Sequence, residues 1–236
     1  MDYARISKRV MEIIGLKYEP VAVNLIKKGE GLPTGYDEPE KPMRHCQSIM
    51  RARKGEQLLI PASKHSCTVG GSALGILPIP EKVASGEFHY NLKMYASSEA
   101  AAKTIAERPE LEEGSIIATV VCPLSKAAME PDVVVFTGTP EQMYWLVPAA
   151  ASYSQGGRIS FESGSFQASC ADSTVIPYLR GKVNLSLGCY GCRRVTDIEP
   201  EEMLAGVPGS LLQQLFENLE KLGEQGSIAK CRSKSG

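Results

Sequence analysis

Two short segments rich in β-branched residues, 116–121 and 133–137, limit the fold more than any other feature of the sequence. Glycine or proline bounds each segment, and both are too short to be helices. Apolar residues follow one another in both, which is typical of strands that are buried on both faces. Because such strands need a covering layer on each side, the sequence predicts a sheet with helices packed against it.

The rest of the chain supplies those helices without any linker or repeat. Segment 98–108 is rich in alanine, with Ser97 or Ser98 as its N-cap and Pro109 as its stop. Further helices are predicted at 44–53, 140–153, 169–179 and 207–222, and further strands at 21–26, 57–61, 158–166 and 182–187. We therefore predict a single α/β or α+β domain with a mixed sheet over residues 1–222, followed by a flexible C-terminal tail, 223–236.

The charge balance argues against partners that are recognised by a strong electrostatic field. Lys and Arg number 26 and Asp and Glu number 27, so the formal charge is -1, and we expect neither nucleic acid nor a membrane as a partner. No uncharged apolar run approaches the roughly 18 residues that span a bilayer, and the N-terminus lacks a secretory signal. The seven cysteines are too few for a disulfide-built protein and odd in number. These features predict a soluble, cytoplasmic protein.

Four of the cysteines stand in polar surroundings at predicted element boundaries. They lie in the sequences RHCQSI, HSCTVGG, ASCADS and GCYGC, at Cys46, Cys67, Cys170 and Cys189. Buried structural cysteines more often have apolar neighbours, and the start of a helix favours a thiolate over a thiol. Loops at the ends of packed elements can bring such residues together. We therefore predict that these four cysteines converge on one metal or cluster site.

The spacing of the cysteines leaves the nature of that site open. Four thiolates suit either zinc or an iron–sulfur cluster, but the sequence has one C-x-x-C and lacks the closely spaced ferredoxin run. A third hypothesis is a thiol oxidoreductase that uses Cys189 and Cys192. It ranks last, because such a pair normally opens a helix and segment 193–200 is predicted to be irregular.

Several neighbours of the four cysteines are expected beside the site rather than among its ligands. Each of two histidines stands next to a motif cysteine, and histidine is a residue type that ligates metals and transfers protons. Two arginines follow the C-x-x-C, and they either stabilise thiolates, a cluster or an anionic substrate, or are simply solvated. The residues expected near the ligands or facing a substrate are Cys192, Arg193, His45 and His65. By contrast, Cys122 is predicted to lie in the core, Cys231 to be incidental, and His89 to be an ordinary surface or half-buried residue.

The order of the motifs resembles the DUF169 family of archaea and anaerobic bacteria. The resemblance covers nearly the whole chain and rests on YEPVAVNLI, HCQSI, SCTVGGSALG, GEF, PDVVV, SGSFQASCAD, IPYLRGKVNLSLGC and GCR. It implies motif cysteines at Cys46, Cys67, Cys170 and Cys189, but it implies no reaction, because the family is uncharacterised. Its occurrence in anaerobes is compatible with an oxygen-sensitive cluster.

Together these observations favour a protein that holds one [4Fe–4S] cluster on Cys46, Cys67, Cys170 and Cys189 and uses it in electron transfer or reductive chemistry. The alternative is a zinc-stabilised, non-enzymatic protein that binds a ligand or partner through the same sulfurs. The partner in either case is an unidentified redox protein or small molecule, and the sequence leaves homo-oligomerisation open.

Overall fold

The protein, described by a computed structural model over residues 1–233, is built on one antiparallel six-stranded sheet. The strands follow the order β2-β3-β1-β4-β6-β5 across the sheet, so β1 and β4 lie at its centre. This architecture confirms the prediction of a sheet covered by helices, but all pairs among the six strands are antiparallel, where a mixed sheet was expected. The strands are β1 (Val21–Lys27), β2 (Leu58–Pro61), β3 (Ile116–Pro123), β4 (Val133–Gly138), β5 (Asn184–Ser186) and β6 (Met203–Pro208).

The helices are mostly short, and one of them is a π-helix, Ala168–Val175. No helix of residues 1–233 is long and apolar enough to cross a membrane. The α-helices are α1 (Tyr3–Ile14), α2 (His45–Ala52), α3 (Thr68–Ala73), α4 (Glu81–Ala84), α5 (Glu87–Asn91), α6 (Ser98–Ala106), α7 (Pro140–Ala151), α8 (Ile176–Arg180), α9 (Tyr190–Val195), α10 (Leu212–Glu224) and α11 (Ser227–Arg232).

Both faces of the sheet are covered, as the two β-branched segments predict. On one face, Val134 and Phe136 of β4 pack in the core formed with α1, α7 and α10, which we call the helical face. On the other, Val133 and Val135 pack in a core that includes Ile49 of α2 and three cysteines, Cys46, Cys189 and Cys192; we call this side the cysteine face. Successive side chains of a strand point to opposite faces, so one strand serves both cores.

Arg53, at the C-terminal end of α2, ties this helix to the sheet. Its side chain is fully buried, and its Nη1 donates to both carboxylate oxygens of Glu202, at 2.9 and 3.0 Å, and to Thr137 Oγ1 at 3.0 Å. The guanidinium also lies 4.0 Å from the ring centroid of Tyr18. Separating this ion pair would leave a buried charge without a partner, which is strongly unfavourable. The contact therefore holds α2 in a fixed position on the cysteine face.

Two elements in the C-terminal half of the chain differ from the prediction. The helix expected at 207–222 begins only at Leu212, because residues 203–208 form β6 and pair with both β4 and β5. The strand expected at 158–166 is absent from the described chain, where this segment has no regular structure. Instead, the side-chain amide of Asn184 bonds the backbone N–H and C=O of Glu162, at 2.9 and 2.7 Å. A side chain thus takes the place of a strand partner.

The segment expected to be a flexible tail is ordered over most of its length. Helix α10 continues to Glu224, and α11 follows with Ile228 buried against the helical face. Arg232 donates to the backbone oxygen of Ile14 at 2.7 Å and to Glu141 at 3.0 Å. Residues 234–236 of the predicted tail lie outside the described residues.

The structure places Cys122 on the helical face, away from the other buried cysteines. Its neighbour Val121 packs on the cysteine face, so the alternation of β3 separates the Cys122 thiol from that face by the sheet itself. We expect Cys122→Ala to lower the free energy of unfolding by about 1 kcal/mol, because it removes packing only. Metal analysis and chemical denaturation will check this, and loss of bound metal from a folded variant would contradict the assignment.

Candidate functional site

A cavity of about 470 Å³ opens on the cysteine face and is lined by five of the seven cysteines. Its volume lies within the range of small-molecule and cofactor sites. The four predicted cysteines all line it, although more than a hundred residues separate Cys67 from Cys170, and Cys192 lines it with them. The lining residues used below are Arg44, His45, Cys46, Cys67, Gly70, Phe88, His89, Leu92, Met94, Phe166, Gln167, Ser169, Cys170, Cys189, Tyr190, Cys192 and Arg194.

The first two cysteines enter the cavity from the starts of helices. Cys46 is the second residue of α2, and Cys67 is the N-cap of α3, where its Sγ accepts from the backbone N–H of Gly70 at 3.4 Å. Gly70 also makes room for the sulfurs. A Cβ at this position would lie 3.1 Å from Cys170 Sγ and 3.6 Å from Cys67 Sγ, so glycine lets both thiols approach the same stretch of backbone.

The π-helix presents Cys170 to the cavity and is fixed by contacts just before its start and near its middle. Gln167, just before it, has a left-handed backbone (φ 69°), and its side-chain amide donates to the backbone oxygen of Val69 at 2.6 Å. Asp172 accepts from Ser186 Oγ of β5 at 2.7 Å. Burial raises the pKa of Asp172 to about 7, although the bond from Ser186 lowers it. Strained backbone and π-helices both concentrate at functional sites.

The C-x-x-C segment differs from the prediction, because a helix does follow it. Cys189 is the N-cap of α9, and its Sγ accepts from the backbone N–H of Cys192 at 3.3 Å. The Cys189 thiol donates to Cys192 Sγ at 3.2 Å, and Cys192 Sγ lies 3.5 Å from Ser169 Oγ. The expectation that no helix follows the C-x-x-C is therefore wrong, and it no longer counts against a thiol oxidoreductase.

The buried thiols are held in their neutral form. Burial raises the pKa of Cys170 well above its usual value, and nearby Cys67, Cys189 and Cys192 add to this effect. Its hydrogen bond to Cys192, and then burial, raise the pKa of Cys189. For Cys192 the bond from Cys189 lowers the pKa, but a bond to Cys46 and burial outweigh it and raise the pKa to about 11. Cations that bind these sulfurs displace their protons.

Only one of the two histidines expected beside the site lines the cavity. His45 Nε2 lies 3.1 Å from Thr174 Oγ1, whose hydroxyl donates to the Ser169 backbone oxygen, so Nε2 carries the proton and donates. Burial lowers the pKa of His45 to about 3. His65 instead lies 3.3 Å from Thr119 Oγ1 of β3, and burial lowers its pKa to about 4. His65 therefore supports the sheet rather than the cavity wall.

His89 is a cavity residue that the sequence did not indicate. It is 3 % exposed rather than on the surface or half-buried, and its ring stacks on Phe166 with 3.6 Å between centroids. Burial lowers its pKa to about 4, and its Nδ1 is buried without a hydrogen-bond partner among the described residues. Helix α5, which carries it, has only five residues. No periodic pattern or neighbouring cysteine could have pointed to this histidine.

The two arginines after Cys192 have different roles. Arg193, which was expected beside the site, lies outside the cavity lining and donates to the backbone oxygens of Leu187, Glu199 and Glu202. Arg194 lines the cavity, as does Arg44, which directly precedes the first cysteine motif and was not singled out. The adjacent arginines thus diverge, one toward the backbone and one toward the cavity.

Within residues 1–233, no three or more His, Cys, Asp or Glu side chains form a group that could hold a metal ion. The ligand role of the four cysteines therefore stays a prediction.

Comparison with known proteins places the chain among relatives whose function is not described. The sequence model of the DUF169 family, described as uncharacterised ArCR, matches residues 9–218. The chain belongs to the DUF169 family. This DUF169 protein is also 36 % identical over 216 residues to an uncharacterised protein of Methanocaldococcus jannaschii, covering 91 % of this chain and 92 % of that archaeal relative. No solved structure matches the DUF169 chain.

Proposed function

We propose that this protein binds one [4Fe–4S] cluster through Cys46, Cys67, Cys170 and Cys189 and uses it for electron transfer or reductive chemistry. The proposal is carried by one observation: four cysteines from distant parts of the chain line the same cavity. Such a cluster stores and releases electrons, and its cysteine ligands bind iron as thiolates.

The chemistry of the lining suits a group held by sulfur. Among the described residues, the lining holds five cysteines and neither Asp nor Glu, and thiolate-rich sites select zinc or iron–sulfur clusters over hard cations. The cavity around the sulfurs favours the cluster over zinc, since a structural zinc site is closed by its four ligands.

The protein's own residues supply the surroundings of the bound group. Cys46, Cys170 and Cys189 are each 7 % exposed, so bulk water has little access to their sulfurs. Two arginines offset the negative charge of four thiolates. Exposure, charge and hydrogen bonds to sulfur are the properties by which a protein sets the potential of a cluster.

Metal analysis of the anaerobically purified protein tests the proposal. We expect about four irons and four sulfides per chain and a broad absorption near 400 nm that weakens on reduction. One zinc per chain without colour would replace the cluster by the zinc-stabilised alternative. Metal-free protein that takes up neither iron and sulfide nor zinc under anaerobic conditions would refute both.

A second candidate function follows from the short distance between the Cys189 and Cys192 sulfurs, 3.2 Å, at the start of a helix. In this function the two thiols are oxidised to a disulfide while a disulfide co-substrate is reduced to two thiols. The raised pKa values of both thiols oppose it, because the thiolate is the nucleophile. Mass spectrometry of metal-free protein treated with oxidised glutathione tests it through loss of two hydrogens at this pair.

A further inference from the structure

The cavity carries a positive charge that nothing in its wall neutralises. Arg44 is half-buried and Arg194 exposed, both line the cavity, and no lining residue of the described chain is an Asp or Glu. Within residues 1–233 neither guanidinium forms an ion pair. Arg194 Nη1 donates to the hydroxyl of Tyr190 at 3.3 Å, which holds it along the rim. Arginine stays charged, so this region attracts an anion.

A flat apolar wall lies in the same cavity. His89 stacks on Phe166 at an interplanar angle of 14°, and Phe88 packs edge-on against His89 with 5.1 Å between centroids. Leu92 and Met94 extend this wall. Phe88 is 44 % exposed, so the wall reaches from the rim to the buried interior. Such surfaces bind the faces and edges of unsaturated rings.

His89 provides a polar group within this apolar wall. Its residue is almost fully buried, and its Nδ1 has no hydrogen-bond partner among the described residues. Two arginines and a flat wall in one cavity together describe a site for a molecule with an anionic end and a planar body.

We propose that this cavity binds a small aromatic or conjugated carboxylate, with its carboxylate facing Arg44 and Arg194 and its planar body against Phe88, His89 and Phe166. Planar carboxylates match the fork geometry of a guanidinium. The bound molecule lies beside the cysteines, and this places a substrate class next to the proposed cluster. The inference goes beyond the cluster proposal, because none of the residues that carry it is a cysteine.

Calorimetric titration of the anaerobically purified protein with benzoate tests the inference, with metal content measured on the same sample. We expect saturable binding in the roughly millimolar range, which is typical of a small fragment. Benzyl alcohol, which lacks the charge, is expected to bind at least about tenfold more weakly. Cyclohexanecarboxylate, which lacks the flat ring, is expected to bind about threefold more weakly than benzoate. Inorganic phosphate, which has no apolar body, is also expected to bind more weakly than benzoate.

Matched variants assign the binding to the two arginines. Arg44→Gln and Arg194→Gln are each expected to weaken benzoate binding about tenfold. Arg5→Gln, which removes an exposed charge from α1 on the helical face, serves as the control and should leave binding unchanged. Absence of saturable benzoate binding, equal binding of benzyl alcohol, or unchanged affinity in both variants would overturn the proposal. None of these results measures iron, so they do not decide the cluster proposal.

Discussion

Replacing Cys189 by Ser is expected to reduce the iron content of anaerobically prepared protein to less than about a tenth of the wild-type value, whereas Cys192→Ser retains it. A serine oxygen is a poor substitute for a thiolate on iron, and Cys189 is one of the four proposed ligands. Cys192 lies 3.2 Å from Cys189 Sγ and 3.5 Å from Ser169 Oγ, where it can hydrogen-bond to a ligand sulfur. Its loss should therefore change the reduction potential instead. Iron and sulfide analysis with a redox titration measures both effects.

The comparison is informative because both substitutions remove one thiol from the same short segment. Damage to α9 is then common to the two variants, and Cys122→Ala, on the opposite face of the sheet, provides a control for loss of a buried thiol elsewhere. Equal loss of iron from both variants would contradict the division of roles. Loss from Cys192→Ser alone would mean that Cys192 is the ligand and Cys189 its neighbour.

Two buried strands of the sheet, β3 and β4, were predictable from the sequence because their signal is local. Segments 116–121 and 133–137 are apolar at nearly every position, and the structure buries β3 and β4 on both faces. Strand β6 could not be found in this way. Its residues 203–208 run directly into the apolar pattern of α10, and pairing with β4 and β5 decides their conformation.

The cysteine lining was partly predictable for a different reason. Polar neighbours and positions at element ends set four cysteines apart from Cys122, and the structure places these four around one cavity. The remaining wall depends on tertiary packing. His89 belongs to a five-residue helix that is distant in sequence from any cysteine, and only the fold brings it against Phe166.

The opposite directions of Arg193 and Arg194 show the limit of reasoning from adjacency. Both follow the C-x-x-C and carry the same charge, so the sequence gives no reason to separate them. As successive residues of α9 they point in different directions, Arg193 toward the carbonyls of neighbouring loops and Arg194 toward the cavity. Which of two adjacent side chains serves the site depends on the helix orientation, which local pattern does not specify.

Gly206→Ala is expected to destabilise the protein strongly, because the π-helix lies directly on this position of β6. A Cβ at Gly206 would lie 2.2 Å from the Ser173 backbone oxygen and 2.6 Å from Pro177 Cγ. The clash is with backbone, so the π-helix that carries Cys170 must move away from the sheet. We expect a loss of about 3 kcal/mol or more in the free energy of unfolding, and a fall in Tm of roughly 6–12 °C.

Gly31→Ala is the matched control, since this exposed loop glycine has nothing within 4 Å of an added Cβ and its φ is not positive. Its effect should stay within about 0.5 kcal/mol. Thermal denaturation measures both variants, and the rate at which a thiol reagent modifies Cys170 provides a second measurement. In Gly206→Ala that rate should rise, because the displaced π-helix exposes a residue that is 7 % exposed in the native fold. Wild-type Tm and wild-type reactivity in Gly206→Ala would mean that the π-helix does not lie this close to β6, and that the position of Cys170 is set by some other contact.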